Sequence, residues 1–127
     1  MPFILGCDYD GTLFEDSFPK SGAPKQKIID RVKEFVEFGA EVVLWTCREG
    51  KALDEAVNRC KEMGLEFVAI NENAPSQLKY MEEEKKKGNI FATRKIFADF
   101  YLDDRAHNLD FFLTIKAKET CDAFKNR

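Results

Sequence analysis

The chain of 127 residues is 44% hydrophobic and carries 20 Lys plus Arg against 23 Asp plus Glu, a formal charge of −3. That length suits one domain over 1–127, and twelve Phe supply the bulk of a real core, which excludes a disordered chain or a disulfide-dependent miniprotein. A pI near 5.3 with interspersed charges excludes a generic phosphate-backbone binder, so nucleic acid enters only as a substrate. The strongest apolar runs, 3–7 and 42–45, are too short to cross a bilayer, and no secretion or anchoring signal is visible. Cysteines stand singly at Cys7, Cys47, Cys60 and Cys121, three of them in apolar patterns, as reduced thiols do; the expected location is the cytoplasm.

In chain order, residues 3–7 read as a short buried strand that stops at Asp8-Tyr9-Asp10-Gly11-Thr12. An irregular loop follows to Ala23. Pro24 suits an early helical position, and Ile28, Ile29, Val32, Phe35 and Val36 recur at helical spacing until Gly39. Residues 41–45 form a second strand ending in Thr46, and Leu53, Ala56, Val57, Cys60 and Met63 mark a helix closed by Gly64. A third strand spans 67–70. A loop at 71–75 leads to a helix over 77–87 whose Glu and Lys pair at i,i+3 and i,i+4. Residues 100–102 form a fourth strand before Asp103 and Asp104, and the remainder holds a weak strand near 111–115 and a terminal helix. This alternation predicts a three-layer, Rossmann-like α/β fold: a parallel sheet with helices on both faces and functional groups at the C-terminal strand ends.

Asp8, Asp10, Thr46, Asp103 and Asp104 all fall where a strand ends. Several carboxylates gathered in one place need a cation, and an all-oxygen set favours Mg²⁺ with waters left to meet a phosphate. Lys95 brings a matching positive charge.

The segment DYDGT resembles the nucleophile motif of the haloacid dehalogenase-like (HAD) superfamily of phosphatases and phosphotransferases. LWTCRE around Thr46, ATRK ending in Lys95 and YLDDRA around Asp103 and Asp104 resemble its later motifs, in the family's order. The resemblance implies an HAD-like fold and a Mg²⁺-dependent phosphomonoesterase. Asp8 would be the nucleophile, passing through an aspartyl-phosphate, and Asp10 the acid and base. Asp10 would also offer its main-chain carbonyl to the metal held by Asp8 and Asp103, with Asp104 either a second ligand through water or an orienting group, a choice the sequence does not make. Thr46 and Lys95 would stabilise the phosphoryl group, with Lys79 a competitor for the lysine role. Gly11, Thr46, Cys47 and Arg48 are the expected substrate contacts, although Arg48 also reads as an ordinary helix-entry arginine.

His107 reads as structural or solvent-facing, and the C-x5-R spacing of Cys121 and Arg127 lacks a glycine-rich anion loop. A receiver domain would carry its acidic pair first, whereas here the pair comes last. A HAD-like module that binds without turnover stays open as an alternative. Only 13–23 and 71–94 offer room between motifs, so no cap domain is expected. An uncapped site suits a bulky phosphorylated substrate, small or macromolecular, or closure by a second subunit of a homo-oligomer. Residues 13–20, with Phe14 and Phe18, and the loop 71–75 are the expected recognition surfaces.

Overall fold

The computed structural model describes residues 1–89 and 94–127. Four parallel strands form one sheet: β1 (Ile4–Cys7), β4 (Glu41–Leu44), β5 (Ala69–Ile70) and β6 (Phe100–Leu102), in the spatial order β5-β4-β1-β6. Between β1 and the first helix stands an antiparallel hairpin, β2 (Phe14–Ser17) and β3 (Lys20–Pro24). The helices are α1 (Gln26–Glu37), α2 (Gly50–Glu62), α3 (Pro75–Lys86), α4 (Leu109–Phe112) and α5 (Ala117–Phe124), with a single 3₁₀ turn at Asp104–Ala106.

The strand order explains the layers. Right-handed crossovers from β1 to β4 and from β4 to β5 run in one direction, which puts α1 and α2 on the same face; the return from β5 to β6 reverses direction and carries α3 to the other. Side-chain alternation feeds both faces. Leu5, Cys7, Val42 and Leu44 join Ile29, Val32, Phe35, Ala56 and Cys60 in the larger core, where Phe112 stacks on Phe35 at 5.1 Å. Ile4, Val43, Ala69, Ala74, Ile96 and Ala98 make the smaller one beneath α3. The fold is thus the expected three-layer, Rossmann-like α/β architecture, and among the described residues nothing larger than the hairpin interrupts it.

Several boundaries differ from the sequence reading. Residues 13–23 are not an irregular loop: Phe14 is buried and stacks on Tyr9 at 4.9 Å, which starts β2. Gly22 and Ala23 bulge opposite Glu15, and only glycine fits there, since a Cβ on Gly22 would lie 2.2 Å from the Glu15 carbonyl oxygen. Pro24 closes β3 opposite Phe14 instead of opening α1. The weak strand near 111–115 is the short helix α4 and a following turn, because Phe112 is drawn into the aromatic core. The third strand shrinks to Ala69–Ile70.

Candidate functional site

β1 and β6 lie side by side at the point where the strand order reverses, the position at which open α/β sheets place their ligands. Asp8 extends β1, its amide donating to the Leu102 carbonyl at 3.0 Å, while Asp103 and Asp104 follow β6 directly. One carboxylate oxygen from each of Asp8, Asp103 and Asp104 lies within 4.8 Å of the others, all three residues being half-buried.

Thr12, fully buried, binds the cluster together. Its hydroxyl donates to Asp8 Oδ2 at 3.0 Å and accepts from the Asp104 amide at 2.9 Å. Gly11 lies beneath Asp104 with φ +83°, and a Cβ there would stand 2.3 Å from Asp104 Oδ2. Glycine therefore does double duty, turning the chain after β1 and leaving room for the carboxylate. Asp103 Oδ1 accepts from the Arg105 amide at 2.9 Å, which fixes the start of the 3₁₀ turn. Lys25 Nζ, on the far side of the hairpin, donates to the Gly11 carbonyl at 3.1 Å.

Three ionised carboxylates at such separations repel by about 3 kcal/mol per pair at an effective dielectric constant near 20. Burial, and then the charge of Asp103, pushes the Asp8 carboxyl up to about 7. A hard divalent cation relieves the same repulsion, and a donor set of oxygens without His or Cys fits Mg²⁺.

The raised carboxyl has a consequence for the metal-free protein. Because folded Asp8 holds its proton to about pH 7 and an unfolded Asp releases it near 3.8, the fold binds more protons in that window and loses stability as pH rises through it. Thermal unfolding of metal-free protein should show a midpoint that falls from pH 4 to 7, with a flatter profile in Asp8→Asn. Parallel profiles would remove the repulsion argument.

Asp10 stands apart from this cluster. Its carboxylate turns to Arg48, which grips it with both fork nitrogens, Nη2 to Oδ1 at 2.7 Å and Nε to Oδ2 at 2.8 Å. The rest of the guanidinium serves the main chain: Nη1 donates to the Pro19 and Ala52 carbonyls, both at 3.1 Å, and Nη2 to that of Lys20 at 2.9 Å. All five N–H donors of an arginine are thereby used. Arg48 is 2% exposed, with the rings of Tyr9 and Phe18 at 4.9 and 5.3 Å from its guanidinium carbon. It is a buried tie between hairpin and site, which corrects its reading as a substrate contact.

Thr46 is half-buried at the end of β4, and its hydroxyl accepts from the Arg48 amide at 3.1 Å. Asn71, in the left-handed region at φ 54°, holds the same residue from both sides, accepting from its amide at 2.8 Å and donating to its carbonyl at 2.9 Å. Cys47 is exposed. Lys95 and Lys79 are both exposed, but Lys95 lines a cleft with Asp103 whereas Lys79 sits on α3; Ala92 and Thr93 of the ATRK segment lie outside the described residues.

Phe14 is core and not a recognition surface, while Phe18, 61% exposed at the hairpin tip, is still available. Asn73 accepts from the Phe97 amide at 2.7 Å. His107 is exposed, Cys121 is buried in α5, and Arg127 pairs with Asp99, so no anion loop forms there. A depression of about 720 Å³ is lined by Asp30, Lys33, Glu34, Lys61 and Glu66 at the opposite end of the sheet, away from the acid cluster.

No family model matches the chain, and no curated protein does. A solved structure, described as a conserved protein coded by a locus from Bacteroides thetaiotaomicron, is 32% identical over 83% of this chain and 78% of that one, with a TM-score of 0.66. The chain belongs to the family of that conserved protein. No helix among the described residues is long and apolar enough to cross a membrane.

Proposed function

We propose that the protein is a Mg²⁺-dependent phosphomonoesterase of the haloacid dehalogenase-like kind, acting through an aspartyl-phosphate on Asp8. The observation that carries this reading is the junction of β1 and β6. There buried Thr12 ties the Asp8 carboxylate to Asp104, with the Asp103 carboxylate beside them, at the C-terminal end of the sheet.

In this reading Asp8 Oδ attacks phosphorus, the bond from phosphorus to the ester oxygen breaks, and that oxygen leaves with a proton from Asp10. Water, deprotonated by Asp10, then cleaves the acyl phosphate and returns Asp8. Asp8, Asp103 and Asp104 would hold Mg²⁺, whose part is to neutralise phosphoryl charge. Thr46, fixed by Asn71, points to the hydrogen-bonding role, and Lys95 on the cleft wall to the electrostatic one. Both Asp10 oxygens accept from Arg48, so Asp10 has to leave at least one of these bonds to reach an ester oxygen.

That fork also favours a second reading, a cation-binding module without turnover. Phosphate release from acetyl phosphate, an acyl phosphate, and from the esters glycerol phosphate and p-nitrophenyl phosphate, with Mg²⁺ and with chelator, separates the two: release from the esters only with Mg²⁺ supports the enzyme, and Mg²⁺ binding without release from either ester supports the module. If Asp10 protonates the leaving group, Asp10→Asn should lose about a hundredfold or more on glycerol phosphate and much less on p-nitrophenyl phosphate, whose phenolate leaves unaided. Equal losses would assign that proton elsewhere.

A further inference from the structure

On the α3 face of the sheet, bordering the acid cluster, a cleft of about 280 Å³ opens between Trp45, Lys95, Ile96, Tyr101, Asp103 and Ala106. The alternation that turns Val43 into the smaller core turns Trp45, two residues on, to the same face. Its indole is 39% exposed, although its backbone is held firmly: the Trp45 amide donates to the Cys7 carbonyl at 2.8 Å, and Asn71 grips the next residue. The main chain thus fixes the point from which the partly exposed indole projects at the mouth of the site.

Tyr101 forms another wall. Its hydroxyl donates to the Ile96 carbonyl at 2.6 Å and accepts from the Ala98 amide at 3.2 Å. Its ring packs over Gly6, where a Cβ would come within 3.3 Å of it. The Lys95 ammonium stands 5.6 Å from the ring centre. Asp103 belongs to both the cleft and the acid cluster, so a group in the cleft adjoins a phosphoryl group held at Asp8.

We infer that this cleft receives the leaving group, and that the substrate is a phosphomonoester bearing a planar aromatic ring that stacks on Trp45. The inference rests on the phosphomonoesterase reading. The volume, about 280 Å³, lies just below the usual range of small-molecule sites and suits one ring system. An alkyl chain gains little from an indole face, whereas an aromatic ring gains a stacking contact. A nucleoside monophosphate and a simple aryl phosphate share this chemistry.

Trp45 is the single tryptophan of the chain, so its fluorescence reports on the cleft directly. AMP, phenyl phosphate and glycerol phosphate would be titrated with Mg²⁺ into the Asp8→Asn variant, with excitation at the red edge of indole absorption. Saturable quenching by AMP and phenyl phosphate, and not by glycerol phosphate, is expected; quenching by AMP alone narrows the source to a nucleoside, and by phenyl phosphate alone to an aryl ester. In Trp45→Ala the kcat/KM for AMP relative to that for acetyl phosphate should fall about tenfold, and Trp45→Phe should restore most of it. Mg²⁺-dependent release from glycerol phosphate, without selective quenching and with an unchanged ratio, overturns the cleft assignment alone. Failure of AMP, phenyl phosphate and glycerol phosphate alike to release phosphate overturns the phosphomonoesterase reading and this inference with it.

Discussion

Replacing Asp8 with Asn should abolish Mg²⁺-dependent phosphate release, by about a thousandfold or more, while leaving the fold intact. The size follows from chemistry: an amide oxygen is a poor nucleophile towards phosphorus, and no other group takes over once the covalent route is closed. The fold should survive because Asn is isosteric and its oxygen can still accept from Thr12. Removing one charge from the cluster of Asp8, Asp103 and Asp104 should also steady the metal-free protein at neutral pH. Activity lost together with the thermal transition would indicate a structural role. Turnover within a few fold of the natural chain would place the nucleophile elsewhere, and Asp103→Asn then becomes the informative variant.

The sheet was legible in the sequence because each buried strand is a short apolar run ended by a polar residue, as in residues 3–7 before Asp8. Strand alternation and the crossover rule then bring Asp8, Asp103 and Asp104 together without reference to any relative. The hairpin was not legible. Phe14–Ser17 and Lys20–Pro24 are largely exposed, show no period-2 apolar pattern and contain Gly22 and Pro24, all marks of a loop. What holds them as strands lies outside the hairpin: Tyr9 stacks on Phe14 and donates to Ser21 Oγ at 2.7 Å, and Arg48, far along the chain, binds two carbonyls at the tip. Near residue 111 the β-forming run FFLTI misleads for a similar reason, since contact of Phe112 with Phe35 and Phe100 outweighs local propensity. The Asp10–Arg48 pair spans 38 residues and has no local signal beyond the arginine itself. Its role emerges only once β1 and β4 are neighbours.

Arg48→Ala should therefore be among the most destabilising single changes in the chain, at about 3 kcal/mol. A guanidinium with its side chain 1% exposed ties three backbone carbonyls and a carboxylate that is itself 20% exposed. Removing it strands those acceptors. Water can reach Asp10 in part, which keeps the cost at the lower end for a broken buried pair. Arg48→Lys should recover only a fraction, because an ammonium has three donors on a point charge and cannot reproduce a planar fork serving five directions. A loss of that size corresponds to a fall of about 10 °C in the thermal midpoint for a domain of this length. The damage should be uneven: hydrogen exchange of hairpin amides should quicken far more than that of β1 and β4, whose bonds lie within the central sheet. Combining Arg48→Ala with Asp10→Asn tests the pair itself. If the fork is the main contact, the double variant should be markedly less destabilised than the two single losses added together. Additive losses, or a midpoint within about 2 °C of the natural chain for Arg48→Ala, would show that the hairpin is held by Tyr9 and Phe14 and that Asp10 needs no partner to keep its place.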